Sequence, residues 1–209
     1  NIKFEKKFDK KDVWLTFDDG YKEHFRVVTP ILKKYNLKAS FYPTVMGTKG
    51  KDLLDINKIH LILKKAINLN SILEFIRLEY DNKNTSKVTF ENLVSKIKTD
   101  IPYDNKKTII IKSLLQSTLN KKLRNNICNK LIKKLYRKDI NKISSQFYLN
   151  INEIKQMFKD GHEIGLHGIK HYPLNSLIYE EKKSEINDCF AFWKRKKLLK
   201  KNWSFCYPF

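Results

Sequence analysis

The sequence predicts an α/β protein that has a parallel sheet and a long helical insertion. Three observations support this prediction. Short apolar segments alternate with segments of helical periodicity near both ends of the 209-residue chain, which is the pattern of strands joined by crossover helices. Two adjacent Asp residues follow one of these apolar segments, and a His residue ends another. Between the two ends, residues 51–143 contain no Gly and are rich in Leu, Ile, Lys and Asn.

The first predicted elements are a strand, a helix and a second strand. Residues 13–17 (VWLTF) have the composition of a buried strand. Residues 23–35 carry apolar side chains near helical spacing, and we expect a kink or a break at Pro30 because proline cannot donate the backbone hydrogen bond. Residues 39–42 (ASFY) form the second predicted strand.

The middle of the chain predicts amphipathic helices. Windows such as INKIHLILKKAI and KLRNNICNKLIKKLY place apolar residues at i, i+3 and i+4. We therefore expect residues 51–143 to be a helical insertion or lid within one domain that covers residues 1–209.

After this insertion the alternation resumes. Asn152 is the expected N-cap of a short helix over 153–159. Residues 163–167 (EIGLH) predict a third strand, 179–200 a long helix, and 203–207 (WSFCY) a fourth strand.

Composition excludes some classes of function. The net charge is +21, but most of the basic residues are Lys rather than Arg and they are spread along the whole chain. Arg is the side chain that grips phosphates and guanine bidentately, so no nucleic-acid partner is expected. A solvated lysine surface is the first interpretation, and peripheral contact with an anionic membrane or polymer is the second. No stretch approaches the ~20 apolar residues that a membrane span needs, and the three Cys show neither zinc-knuckle nor disulfide spacing.

The motif WLTFDDGY places two carboxylates, Asp18 and Asp19, at the end of a predicted core strand. Burying a carboxylate costs several kcal/mol, roughly, unless a cation or hydrogen bonds compensate. A divalent metal would compensate, and Asp19, His167 and His171 offer one carboxylate and two imidazoles for it. Asp18 would then remain free as a general base. Each motif alone also fits a simple turn or a surface helix, and their joint position at strand ends favours the metal site.

Three segments, LTFDDG, GHEIGLHGIKHYPL and FCYPF, resemble the motifs of the polysaccharide deacetylase family (carbohydrate esterase family 4, the NodB homology domain). The third segment matches only in part. The resemblance covers residues 13–45 and 150–209 and leaves out the helical insertion.

This resemblance implies a distorted (β/α) barrel and a metal-dependent hydrolase that removes acetyl groups from sugars. The implied cofactor is a divalent ion, zinc first and cobalt or nickel next. The implied substrate is an acetylated sugar or glycan of surface-polysaccharide biosynthesis, and Tyr21 and Pro208 are expected to line its groove. The expected location is the cytoplasm or the membrane periphery of a bacterium.

Residue roles follow from the resemblance by position. It implies that Asp18 is the catalytic base and that Asp19, His167 and His171 bind the metal. It further implies that the backbone N–H of Phe209 helps to stabilise the oxyanion.

The sequence departs from the family pattern at three places. Cys206 stands where many members have the Arg that orients the base, and Gly168 stands where Ser or Thr usually follows the first metal histidine. The chain also stops before the family's later motifs, so we expect the barrel to be truncated and the chain to be part of a longer protein. A catalytically degenerate glycan-binding or membrane-associated module is therefore the alternative function, and an amide hydrolase of non-sugar substrates is a third.

Overall fold

The computed structural model describes residues 13–83, 87–100 and 102–208. The chain divides into two compact units. One, here called the sheet unit, is formed by Asn1–Lys51 and Ser144–Phe209, and the other, the helical unit, by Asp52–Ile143. The expectation of one domain over 1–209 with an insertion at 51–143 stays a prediction.

The elements are numbered along the chain. The strands are β1 Thr16–Asp19, β2 Ser40–Pro43 and β3 Glu163–Ile164. The α-helices are α1 Thr29–Lys34, α2 Val45–Thr48, α3 Asp55–Lys65, α4 Leu69–Asp81, α5 Phe90–Ser95, α6 Lys106–Ser113, α7 Lys121–Tyr136, α8 Ile140–Phe147, α9 Ile151–Lys159 and α10 Tyr179–Arg195. Two π-helical segments, His24–Val28 and Leu114–Thr118, and one 3-10 turn, Leu174–Ser176, complete the described elements.

The sheet is parallel and its strands follow the chain order β1-β2-β3. Phe17 of β1 pairs with Phe41 of β2, which in turn pairs with Ile164 of β3. This arrangement confirms the predicted α/β class with a parallel sheet. The strands of the described residues do not close into a barrel, so the barrel stays a prediction.

The fourth predicted strand, residues 203–207, is reduced to one parallel bridge between Leu166 and Phe205. Leu166 donates to the carbonyl of Ser204 and accepts from the N–H of Cys206, both at 2.9 Å. The segment therefore runs beside β3 on the side away from β2, but its backbone pairs at one residue only.

The core of the sheet unit lies between β2, β3 and helices α9 and α10. All four residues of β2 are buried, as expected for a central strand of a parallel sheet covered by helices. Ile154 and Met157 of α9 and Trp193 of α10 are fully buried against it. Trp193 is fully buried, whereas Trp14 is 49 % and Trp203 43 % exposed.

Two helix starts differ from the sequence expectation. The N-cap of α9 is Asn150 rather than Asn152, and the Asn150 and Glu153 side chains form a reciprocal capping box. Near Pro30 the helix is not broken. The π-helical segment His24–Val28 leads directly into α1, which contains Pro30 in its first turn. Because Pro30 has no N–H to donate to the preceding turn, a carbonyl of that turn needs another donor, and that of Phe25 accepts from the hydroxyl of Thr29 at 2.7 Å.

The helical unit has its own buried side chains, among them Ile59 and Ile62 of α3 and Ile127 of α7. Lys58 is also buried and forms an ion pair with Asp52 at 2.9 Å. None of the described helices has the length and apolar composition that crossing a bilayer requires.

Candidate metal centre

The first side of the site is the sharp turn at the end of β1. Asp19 has a φ of 63° and Gly20 a φ of 78°, and the N–H of Gly20 donates to the carbonyl of Asp18 at 2.7 Å. Because of this turn, the two neighbouring carboxylates differ in environment. Asp18 is exposed, whereas the Asp19 side chain is only 12 % exposed.

The second side is the loop that follows β3 and carries the two histidines. His167 is buried and its Nδ1 lies 2.9 Å from the carbonyl oxygen of Cys206. His171 is reached through a loop in which Gly168 has a φ of 81° and His171 itself a φ of 60°. The loop bends the chain back, so that the two imidazole rings lie 4.7 Å apart at 70°.

These two sides converge on one carboxylate oxygen. Asp19 Oδ1 lies 3.5 Å from Nε2 of His167 and 3.3 Å from Nε2 of His171. One ligand atom from each of the three residues lies within 4.8 Å of the others. The structure thus brings together the three residues that the sequence assigned to a metal.

The charges at the site suit a cation. Burial raises the pKa of Asp19, but contacts with His167, Tyr21 and His171 outweigh this effect and lower it below 3.8. Burial lowers the pKa of His171 below 6.5 against the opposing influence of Asp19. At neutral pH the Asp19 carboxylate is therefore ionised and the His171 ring is neutral, which are the protonation states that metal ligands require.

Two buried atoms of the site have no hydrogen-bond partner among the described residues: Asp19 Oδ1 and His167 Nε2. Leaving such an atom unpaired costs about 1–3 kcal/mol. Since the Nδ1–H of His167 is directed at a carbonyl, its Nε2 carries the lone pair that a metal needs. Two ligands on a tetrahedral ion with bonds of about 2.0–2.1 Å lie about 3.3–3.4 Å apart, close to the distances between Asp19 and the histidines. The residues present therefore fit a small divalent metal ion.

A second set of ligand atoms lies beside the first. Asp18, His167 and Cys206 also bring one ligand atom each within 4.8 Å of one another. Burial, followed by the charges of Asp18 and Asp19, raises the pKa of the Cys206 thiol, so Cys206 is a neutral thiol at pH 7. Asp18 thus faces a thiol where the resemblance predicted the guanidinium of an Arg.

The model of one protein family, polysaccharide deacetylase, matches this chain over residues 5–56 and 127–209. The two matched segments make up more than half of the sequence. The chain belongs to the polysaccharide deacetylase family. No significant match to a curated protein or to a solved structure was found.

Family membership implies a hydrolase that acts on acetylated carbohydrate. Both matched segments contribute to the site, since β1 lies in the first and the histidine loop in the second. The roles of the individual side chains in this deacetylase-family protein stay predictions.

The remaining predicted site residues have different surroundings. The hydroxyl of Tyr21 donates to Asp19 Oδ2 at 2.6 Å, so this residue contacts a predicted ligand, and its place at the substrate groove stays a prediction. Pro208 is buried, and its contact with the substrate stays a prediction. Phe209, whose backbone N–H was assigned to the oxyanion, lies outside the described residues.

Two residues near the centre were not singled out as functional by the sequence. His24 is buried, and its Nδ1 has no partner in the described part of the chain. Glu185 of α10 is buried and contacts the loop between the two histidines. The sequence contained a signal that could have identified Glu185. This residue precedes Cys189, which is buried, by one helical turn, and the spacing places a carboxylate on the apolar face of α10.

Proposed function

We propose that this protein is a metal-dependent hydrolase that removes the N-acetyl group from a carbohydrate. The observation that carries the proposal is the convergence of Asp19 Oδ1 and His167 Nε2, two buried and unpartnered atoms, beside His171. A carboxylate and two imidazoles are ligands that suit zinc first, with cobalt or nickel as substitutes.

In this proposal the chain's own residues bind the ion and move the proton. Asp19, His167 and His171 would hold the ion, which supplies Lewis acidity to the acetyl carbonyl and makes water more acidic. Asp18 is exposed, so its carboxylate is accessible to a water molecule, and it lies next to His167. Its proposed role is to accept the proton of the attacking water as a general base.

The neighbouring groups would shape the reaction. The backbone N–H of Phe209 is proposed to donate to the developing oxyanion, a role that any residue type can fill because it needs no side chain. Tyr21 and Pro208 are proposed to border the sugar. The expected substrate is a defined precursor or oligosaccharide of a surface glycan.

We also propose that the sheet belongs to a distorted (β/α) barrel. The sequential order of β1, β2 and β3, followed by the bridge of Leu166 with Phe205, supports a barrel, because open doubly wound sheets reverse their strand order.

Acetate release from a panel of N-acetylated sugars and oligosaccharides, with zinc supplied, tests the proposed activity. Asp18→Asn should keep the metal and lose about 10²-fold or more of kcat, which is the usual contribution of a general base. A zinc-loaded protein that releases acetate from none of the sugars, but binds them, would establish the glycan-binding module instead.

The location is a separate proposal. The proposed location is the cytoplasm or the membrane periphery of a bacterium, and the net charge of +21 favours contact with an anionic membrane surface. Co-sedimentation with vesicles that contain phosphatidylglycerol, but not with purely zwitterionic vesicles, is the expected result. Sedimentation with neither vesicle type would argue for a lysine surface that serves only solubility.

A further inference from the structure

The loop between the two histidines is held by a buried carboxylate from another element. Glu185 Oε1 accepts hydrogen bonds from the backbone N–H of Ile169 at 2.8 Å and of Lys170 at 2.6 Å. Glu185 lies in the second turn of α10 and is 7 % exposed. It forms no ion pair with a Lys, Arg or His of the described residues.

A carboxylate is energetically unfavourable at this buried position. The same face of α10 carries Cys189 and Phe192, which are buried in the apolar core. An apolar side chain would avoid the cost of burying a charge there. The two backbone N–H groups compensate that cost, and they belong to the segment that places His167 and His171.

The loop needs such an anchor because its backbone is in an unfavourable conformation. Gly168 and His171 both have positive φ values, 81° and 60°, and for a non-glycine residue this region costs of the order of 1–2 kcal/mol. Hydrogen bonds to the intervening peptide groups hold the loop against relaxation to a commoner conformation.

The carbonyl groups of the same peptide units also accept hydrogen bonds. The N–H of Val45 donates to the carbonyl of Gly168 at 3.3 Å, and that of Met46 to the carbonyl of Ile169 at 2.9 Å. The loop is therefore fixed between the start of α2, through its carbonyls, and Glu185, through its N–H groups.

Gly168 makes room for this contact. A Cβ atom at this position would lie 2.9 Å from Glu185 Oε1 and 3.4 Å from its Cγ. The absence of a side chain at Gly168 and the presence of the carboxylate at Glu185 are thus parts of one arrangement.

We infer that Glu185 is a positioning residue of the metal centre: it fixes the loop 168–170 and thereby sets the separation and orientation of His167 and His171. This inference rests on the proposed metal-dependent function. It assigns Glu185 no contact with metal or substrate, and its effect reaches the ion only through the two histidines.

The test compares metal binding by the natural protein and by variants of α10. Glu185→Met removes the acceptor at similar volume, whereas Glu185→Gln keeps one oxygen that can accept both N–H groups. Glu181→Met is the matched control, because Glu181 is an exposed carboxylate one turn earlier that accepts from the N–H of Ile178. The readouts are zinc affinity, by competition with a chelator, and the visible absorption spectrum of the cobalt-loaded protein.

We expect Glu185→Met to lose about tenfold or more in zinc affinity, as is usual when the support of a metal ligand is removed, and to change the cobalt spectrum. Glu185→Gln should recover most of both properties, and Glu181→Met should keep them. If Glu185→Met fails to fold, Glu185→Asp replaces it. Glu185→Asp keeps the charge, but its side chain is shorter by one methylene, so the oxygen lies farther from the loop. We expect the same loss of zinc affinity.

Two results would overturn the inference in distinguishable ways. Natural affinity and an unchanged cobalt spectrum in folded Glu185→Met or Glu185→Asp would show that the loop needs no anchor, while the proposed function stands. A natural protein that binds neither zinc nor cobalt would remove the proposed function and this inference with it.

Discussion

The two side-chain oxygens of Asp19 have different environments. Oδ2 accepts a hydrogen bond from the hydroxyl of Tyr21 at 2.6 Å, whereas Oδ1 is buried without a partner and faces His167 and His171. The Tyr21 hydroxyl fixes the rotation of the carboxylate and leaves Oδ1 available to an ion. Such outer hydrogen bonds orient metal ligands and strengthen the site.

Tyr21→Phe should therefore weaken zinc binding by roughly tenfold while the protein stays folded. A chelator competition measures the affinity. Tyr42→Phe is the control, because it removes a hydroxyl that bonds to Ser204 in the same sheet unit and not to a predicted ligand. Equal zinc affinity in the natural protein and in Tyr21→Phe would limit Tyr21 to packing or substrate contact.

A second residue-scale prediction concerns pH. His162 is buried, its Nδ1 accepts from the N–H of Ala39 at 3.3 Å, and burial lowers its pKa below 6.5. As the pH falls, His162 is protonated at a higher pH in the unfolded chain than in the folded protein. The free energy of unfolding should therefore fall as the pH drops below ~6.5. His162→Asn should reduce this fall, measured by urea unfolding in apo protein at pH 7.5 and 5.5. The exposed His60, changed to Asn, is the control, and an undiminished fall in His162→Asn would contradict the assignment.

Residue types at the site were predictable because their chemistry is unusual in the sequence. Two adjacent carboxylates after an apolar segment, and two histidines four apart, are visible without a structure. The contacts of Tyr21 and Glu185 could not be predicted, because they depend on backbone turns that the sequence does not specify. Hydrogen bonds across the fold depend on side-chain orientation, which composition and periodicity leave open.

At the scale of elements, the turn after β1 sets the position of both carboxylates. A Cβ atom at Gly20 would lie 2.7 Å from Cβ of Pro43 at the end of β2, and the φ of Gly20 is 78°. The carbonyl of Gly20 also accepts from the N–H of Leu149. The turn therefore requires glycine both for its backbone conformation and for the close approach of β2.

Gly20→Ala should lower the free energy of unfolding by more than the conformational cost alone, which is about 1 kcal/mol. Gly50→Ala is the matched control. Gly50 also has a positive φ, 62°, but its nearest neighbour would lie 3.8 Å from the new Cβ. Urea unfolding of both variants measures the difference, and equal losses would mean that the contact with Pro43 relaxes without cost.

The sequence predicted the type of most elements of the sheet unit, but not all their limits. Residues 203–207 have the composition of a strand, yet only Phe205 pairs, because strand pairing depends on the neighbouring chain as well as on propensity. Asn150 and Asn152 are both acceptable N-caps by residue type. The capping box with Glu153 three residues later favours Asn150, and this spacing was present in the sequence.

At the scale of the whole molecule, the family match and the helical unit are complementary. The match omits residues 57–126, which lie within the helical unit Asp52–Ile143. The sequence predicts an insertion at residues 51–143 from composition, because its Lys-, Asn- and Leu-rich segments lack the alternation of strands and helices that surrounds them. The predicted metal ligands come from the segments on either side, so a bound ion would join the two parts of the sheet unit.

Metal content per chain is the most direct test of this account. Protein purified with zinc and then freed of unbound ions should carry about one ion per chain, measured by plasma mass spectrometry. Asp19→Ala should carry almost none, because it removes the oxygen on which both histidines converge. Asp18→Asn should keep the full content, since Asp18 is assigned to the base. A natural protein without metal, or Asp19→Ala with undiminished metal, would contradict the central claim that Asp19, His167 and His171 form the metal centre.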